Sequence, residues 1–426
     1  NTELSAVTVR NVGVRLRGNT ARSHDKRAYK IDFKEYGGDQ FEKYKKINLK
    51  PNVNDPALVR ELLTMHLYRK MGVPAPLVGL AELYINEEYM GVYLMIEQID
   101  DEFVDKRFGK EVGWLYKCHY GATLENDGQI FDEALYESKM NEESDTRAQL
   151  KDFVEMLENT PDNDFKEKVE QAFEVDRFIR QLAVEAITGH WDGYSYLNNN
   201  YYFYYDEDAG KFEFIAYDTD NTWGIDWVDR DWATRDLTHF YRHNHPRPLT
   251  ERILGIPEYE RRYYGYLNIL FDRYFTKDYL YPIFDQLESI LSIHVQNDKY
   301  FDDSFEFSHQ DFLDAFDYTS DQHVAYGLRD FLETRRSTGI PQVPDIVLES
   351  HKQTSWSVYP NPSTNGIFTI KGSVYELPEI HLWNLGGKEI LPSIEHHQDE
   401  IVLSIGQGKG LYLLEVDGVV TSLLVD

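Results

Sequence analysis

The chain has 426 residues and carries 44 Lys+Arg against 74 Asp+Glu, a formal charge of −30 at pH 7. That length suggests two or three domains with cores of their own, and 42% apolar residues read as a folded chain rather than a disordered one. The acidity argues against nucleic acid and anionic lipid as partners, no apolar run reaches the roughly 20 residues that cross a bilayer, and the single cysteine, Cys118, excludes an intramolecular disulfide framework or a Cys-rich zinc module.

Taken in chain order, Thr8–Leu16 alternates with period two and runs into a turn at Arg17-Gly18-Asn19. Ala28–Phe33 is a second short strand. Asp55-Pro56 signals a helix start, with Asp as N-cap and Pro at the first helical position. The apolar stripe Leu58, Val59, Leu62, Leu63 and Leu67 follows, and Gly72 with Pro74 ends it. Leu80–Ile96 reads as a hairpin turning near Asn86-Glu87, with Tyr93–Ile96 a buried strand. From about 119 to 340 the pattern is mainly helical. Leu150, Phe153, Val154 and Leu157 share one face. A second helix opens at Val175-Asp176, turns Phe178, Ile179, Leu182, Ala183, Ala186 and Ile187 inward, and stops at Gly189. A polar loop and a hairpin follow: Tyr201–Tyr205, a turn at Asp208-Ala209-Gly210, then Lys211–Tyr217. Helices resume from about 250 to 335, and the acidic stretch Asp298–Asp321 reads as a solvated face. Ser337–Pro344 reads as an extended linker. Beyond it, Phe368–Ile370, Ile380–Trp383, Ile401–Leu403 and Leu411–Leu414 are strands of a small all-β sandwich. The fold class is therefore α+β, with expected units at 1–336, a linker at 337–356, and the sandwich at 357–426.

The densest polar cluster is Gly189–Asn200, followed by the hairpin and Asp218-Thr219-Asp220. Phosphoryl transfer needs such a set: one carboxylate to accept a hydroxyl proton, and an amide oxygen with a second carboxylate to hold a divalent metal on nucleotide phosphates. A strand lysine and a helix glutamate would complete it, and Lys30 and Glu61 fit those stations. Arg17-Gly18-Asn19 lies where a phosphate-covering loop would sit. Two other metal patterns are weaker. Asp218–Asp229 starts like a calcium loop but has glycine at its seventh position and Asp at its twelfth. His239, His243 and His245 read as a polar loop rather than a zinc site.

The sequence resembles the CotH kinase-like family, the spore-coat protein H group of atypical protein kinases. The resembling pieces include Arg17-Gly18-Asn19, Tyr29-Lys30-Ile31, Leu49-Lys50, Arg60-Glu61, Gly91-Val92-Tyr93, Glu97-Gln98-Ile99-Asp100, Trp191-Asp192-Gly193-Tyr194, Asn199-Asn200-Tyr201-Tyr202 and Tyr217-Asp218-Thr219-Asp220, in family order over about residues 10 to 335. The resemblance implies a two-lobed kinase-like fold that binds ATP with Mg²⁺ or Mn²⁺ and phosphorylates Ser or Thr of a protein acceptor. It suggests Asp192 as catalytic base, and Asp218 as metal ligand with Asn200 beside it, Asn198 the alternative and Asp220 nearby. Lys30 would lie on the phosphates, oriented by Glu61, with Arg17 in the nucleotide site and Glu97 near the adenine. A kinase-like surface adhesin or scaffold without turnover is the alternative. The C-terminal piece, with Val358-Tyr359-Pro360-Asn361-Pro362-Ser363 and Gly410–Val416, resembles a type A sorting domain of the type IX secretion system. That implies a Bacteroidetes-type bacterium, a secretion machinery as partner, and export to the periplasm, cell surface or medium.

Overall fold

The computed structural model describes residues 8–18, 25–38, 41, 44–109, 112–241, 244–302, 305–317, 323–346, 348, 357–371, 380–384, 390, 392–396, 400–406, 408–416 and 419–425. In chain order the first elements are β1 (Gly13–Leu16), β2 (Tyr29–Asp32), β3 (Lys46–Lys50), α1 (Arg60–Lys70), β4 (Val78–Ile85), β5 (Glu88–Glu97) and α2 (Asp101–Phe108). Then come β6 (Trp114–Cys118), β7 (Tyr136–Met140), α3 (Ala148–Asn159), α4 (Asp162–Ala172), α5 (Val175–Thr188), α6 (Tyr194–Leu197), β8 (Tyr201–Asp206) and β9 (Lys211–Ala216). The helices α7 (Pro248–Leu254), α8 (Pro257–Ile269), α9 (Lys277–Gln296), α10 (His309–Asp317) and α11 (Leu328–Gly339) follow. The chain closes with β10 (Ser357–Tyr359), β11 (Ile367–Lys371), β12 (Ile380–Asn384), β13 (Ser393–His396), β14 (Glu400–Ser404), β15 (Gly410–Val416) and β16 (Val419–Val425).

The first five strands form one antiparallel sheet in the order β1-β2-β3-β5-β4. Lys30 on β2 pairs with Arg15 on β1 and Asn48 on β3, and Asn48 pairs with Ile96 on β5. Because side chains alternate across a strand, Arg15, Lys30, Asn48 and Ile96 share one face, with Lys46 and Lys50 two residues to either side of Asn48. The other face buries Phe33, Ile47, Leu49 and Tyr93. The β4–β5 hairpin turns where expected, and Asn86 and Glu87 have φ of +49° and +68°. A two-residue turn of this hand needs positive φ at both positions, which asparagine tolerates better than glutamate. Glu87→Gly should therefore stabilise the protein by about 1 kcal/mol, read as a higher urea midpoint at unchanged slope.

A second sheet, β7-β6-β8-β9, packs on α3 and α5. Leu150, Phe153, Val154 and Leu157 are the buried face of α3, as their spacing predicts. Helix α5 is buried nearly all round and ends at Gly189, whose φ of +68° is the left-handed position a helix stop requires. The last seven strands form a four-stranded sheet, β10-β11-β14-β13, and a three-stranded sheet, β12-β15-β16. Phe368, Ile370, Leu382, Ile401, Leu403, Leu414 and Leu423 are their shared apolar cluster, and the alternate positions face outward, among them Lys371 but also the exposed Ile367, Leu411, Leu413 and Leu424.

Three local expectations are corrected. Asp55 does not cap a helix directly: its carboxylate accepts from the backbone of Ala57 and Arg60, closing a turn, and α1 begins only at Arg60. Asp298 is not on a solvated face. It is buried and paired with Lys26, so the acidic run starts inside the fold. Ser337–Pro344 is not an extended linker at its start, because α11 continues to Gly339. The Gln342 side chain accepts from Leu237 N, and Asn268 donates to the carbonyls of Pro344 and Ile346. A proline-bearing segment can pack flat when its carbonyls find donors, and these do.

Candidate functional site

Three carboxylates converge on one ammonium. Lys50 ends β3, Glu61 stands in the first turn of α1, and Asp218 and Asp220 follow β9. Lys50 Nζ donates to Glu61 Oε2 at 2.8 Å, lies 3.1 Å from Asp220 Oδ2, and bonds Asp218 Oδ1. The Glu61 side chain is 2% exposed and that of Lys50 17%. Burial alone would lower the Lys50 pKa, but Asp218, Asp220 and Glu61 outweigh it and hold the ammonium charged. For Asp218 burial pushes upward, while Lys50, Arg17 and Lys117 pull harder and keep it below the usual carboxylate range. Asp220 is left over: burial and the repulsion of Asp218 and Glu61 push it up to about 8 against the pull of Lys50. Asp218 also has a φ of +54°, a strained backbone for a non-glycine residue.

Asp192 sits on the loop after α5. Its Oδ1 accepts from Asn199 Nδ2 at 3.0 Å, and its Oδ2 from Asn200 Nδ2 and Asn221 Nδ2, both at 2.9 Å. Asn200 Nδ2 also reaches the Asp192 carbonyl at 3.1 Å. Burial raises the Asp192 pKa above its ordinary value, more than the three amides lower it. The glycine that follows is a matter of space. A side chain at Gly193 would meet Glu185 Oε1 and the His190 ring at 2.9 Å. Gly193 thus lets the loop close onto a buried polar layer, in which Glu185 accepts from Ser195 Oγ and Gln181 Nε2.

That layer has a pH signature. Burial pushes Glu185 up to about 7. Between its ordinary 4.5 and about 7 the folded state keeps a proton that the unfolded chain has released. Stability from this group therefore falls as pH rises through that window. Glu185→Gln should flatten the decline, with a difference on the order of 3 kcal/mol between pH 5 and pH 8. Urea unfolding of both proteins across that range measures it.

The residues present fit a divalent cation. Glu61, Asp218 and Asp220 supply three acids for one ammonium, and the Asn200 amide nitrogen is committed to Asp192, which leaves its oxygen as a donor atom. Among the described residues no group of three His, Cys, Asp or Glu side chains is arranged as a metal cage.

The other expected residues separate. Arg17 is at the site, donating to Tyr217 Oη at 2.7 Å beside Asp218. Lys30 is not the partner of Glu61. Lys50 takes that place, because β3 lies between β2 and β5 and its last residue reaches α1. Glu97 is on the opposite sheet face from Asn48, paired in register with Ile47. Its carboxylate is taken by Arg107 at 2.6 Å and Leu77 N at 3.1 Å, so it does not line the cleft. Asn198 is buried as the left-handed stop of α6, its carbonyl accepting from Gly121 N, and no contact among the described residues joins it to Asp192 or Asp218. His239 turns to Asp236 and Thr238, and His243 lies outside the described residues. Sequence reading missed Lys50, Asn221 and Lys117. Lys50 had a signal in the alternation of Ile47 and Leu49 before it, and Asn221 stands next to the acidic pair.

The chain belongs to the family described as CotH kinase protein, which matches residues 14–338. Residues 357–423 match the secretion system C-terminal sorting domain, so the chain carries an export module. It is 28% identical over 278 residues to the "Inner spore coat protein H" of Bacillus subtilis, covering 64% of this chain and 74% of that protein. It is 25% identical over 253 residues to the "Spore coat protein homolog 1" of Rhizopus delemar, covering 58% and 41%. "Invasin CotH7" of the same fungus is 27% identical over 194 residues, covering 44% and 32%. The alignments thus span under half the length of these fungal relatives. No helix among the described residues is long and apolar enough to cross a membrane.

Proposed function

We propose that the protein is an exported, two-lobed atypical protein kinase that transfers the ATP γ-phosphate to Ser or Thr of a protein acceptor with Mg²⁺ or Mn²⁺. The observation that carries this reading is the Lys50–Glu61 pair meeting Asp218, with Asp192 presented by three amides on the adjoining loop. A phosphoryl-transfer site needs this separation of roles. Asp192, whose pKa is raised by burial, is the stronger base and accepts the acceptor hydroxyl proton. Lys50, oriented by Glu61, holds donor phosphate. Asp218, with Asp220 and the Asn200 oxygen, would hold the metal, which neutralises charge on the transferred group. The C-terminal strands hand the chain to the secretion machinery.

Thermal unfolding of the full chain with and without Mg²⁺-ATP tests the reading, beside transfer of labelled phosphate to a protein mixture. Ligand at about 100 times its Kd should add roughly 2.7 kcal/mol to the folded state, and Asp218→Asn should lose that gain. The absence of both shift and transfer would favour a surface-binding role without turnover. The name "Invasin" on fungal relatives and the sorting domain support that second reading.

A further inference from the structure

The three amides that hold Asp192 come from different parts of the chain. Asn199 and Asn200 stand on its own loop, 7 and 8 residues further on. Asn221 comes from the segment after β9, and its Nδ2 donates to Asp192 Oδ2 at 2.9 Å. The Asn221 oxygen is engaged as well. Asn54, on the loop between β3 and α1, donates from Nδ2 to Asn221 Oδ1 at 3.1 Å. A side-chain amide carries its acceptor and its donors on separate arms, so the Asn54 donor turns the Asn221 NH₂ toward the carboxylate. Both members of this pair are fixed to the surrounding frame. The Asn54 carbonyl accepts from His323 Nε2 at 2.7 Å, and the His323 ring stacks on Trp227 with centroids 4.0 Å apart. Arg60, which closes the same loop, donates to the carbonyls of Trp223 and Tyr326. Just beyond Asn221, Trp223 N donates to the Thr188 carbonyl at 2.8 Å, and Trp191 Nε1 donates to the Ile225 carbonyl at 2.7 Å.

A carboxylate oxygen has two lone pairs. Asp192 Oδ2 accepts from both Asn200 and Asn221, so both of its lone pairs are used. Asp192 Oδ1 accepts from Asn199 at 3.0 Å, and among the described residues it has no second donor. Its remaining lone pair is the place left for an incoming proton.

We propose that Asn221, turned by Asn54, is a positioning residue that fills Asp192 Oδ2 and so presents Oδ1 to the acceptor hydroxyl. This rests on the kinase reading above. In the step it serves, the acceptor oxygen bonds the γ-phosphorus, the bond to ADP breaks with its electrons leaving on ADP, and the hydroxyl proton passes to Oδ1. The test is steady-state transfer from Mg²⁺-ATP at pH 8 by the full chain, to the peptide best labelled in a randomised Ser/Thr library. The proteins are wild type, Asn221→Ala, Asn54→Asp and Asn54→Ala. Asn221→Ala should lower kcat about 10- to 100-fold, the range for a misplaced reacting group. Its nucleotide KM and the thermal shift it gains from Mg²⁺-ATP should match wild type. Asn54→Asp should show the same loss from one residue further out, because a carboxylate only accepts. It repels the Asn221 oxygen or draws the NH₂ away from Asp192. Asn54→Ala should keep kcat within about threefold of wild type, since the Asp192 carboxylate still repels the Asn221 oxygen. A pair that merely held the loop together would suffer from both Asn54 variants alike. Equal losses in Asn54→Asp and Asn54→Ala, or wild-type kcat in Asn221→Ala, would overturn the positioning role and leave the kinase reading standing. So would loss of the Mg²⁺-ATP shift in Asn221→Ala, which would place its effect at the neighbouring metal site. No transfer by wild type to any peptide would remove both.

Discussion

Lys50→Met is expected to abolish phosphoryl transfer and to lower the stability of the free protein by about 3–5 kcal/mol, the cost of leaving buried partners uncompensated. The substitution keeps the volume of the stem and removes only the ammonium. Glu61, Asp218 and Asp220 then face one another without the ammonium they all contact, with only Arg17 and Lys117 still attracting Asp218, and Glu61 is buried to 2% exposure. They can recover part of the loss by taking up protons. The destabilisation should therefore be smaller at pH 6 than at pH 8. Urea unfolding at the two pH values reads this directly. Lys30→Met is the control for the stability loss, because Lys30 makes no contact with the acids around Lys50. If Lys30→Met lost transfer outright and Lys50→Met kept it, the roles assigned to the two strands would have to be exchanged.

Asp192→Asn should reduce kcat by about 10²–10⁴ while the nucleotide KM holds, since a general base acts on the acceptor proton rather than on the donor. The substitution has a structural cost as well. The carboxylate accepts from three amides with two oxygens. An asparagine there offers one oxygen and turns its own NH₂ toward a donor. One hydrogen bond is lost, worth about 1–3 kcal/mol where the group is buried. Only the division between kcat and KM separates chemistry from loosened packing. The wild-type rate should also fall at acid pH with a midpoint above that of an ordinary aspartate, because burial raises the Asp192 pKa. A rate independent of pH through that range, or an active Asp192→Asn, would exclude the base assignment.

Local pattern carried much of the reading wherever an element buries one face. The α3 stripe, the stop of α5 at Gly189, the β4–β5 turn at Asn86-Glu87 and the strands β11, β12, β14 and β15 of the C-terminal sandwich were all legible, because period and turn chemistry are local. The nearness of Asp192, Asn200 and Asp218 could also be anticipated, since all three stand on loops flanking recognisable elements. β3 was missed: five residues with lysine at both ends resemble a charged loop as much as a strand. Losing β3 moved the cleft lysine to β2, since Lys30 was then the lysine on a visible strand before Glu61.

What the sequence by itself determined, then, is the family and the export module, because these are matters of residue type and order. Which lysine meets Glu61, which face Glu97 takes, and that Asn198 makes no contact with Asp192 or Asp218 among the described residues were decided by the tertiary structure alone. Strand order and register place side chains on one face or the other, and a shift of one residue reverses them. Neither is written in any short stretch of chain. The same holds for the charge states. Asp218 and Asp220 are two residues apart, yet Lys50, Arg17 and Lys117 pull the first carboxyl down against its burial, while burial and the repulsion of Asp218 and Glu61 push the second up to about 8.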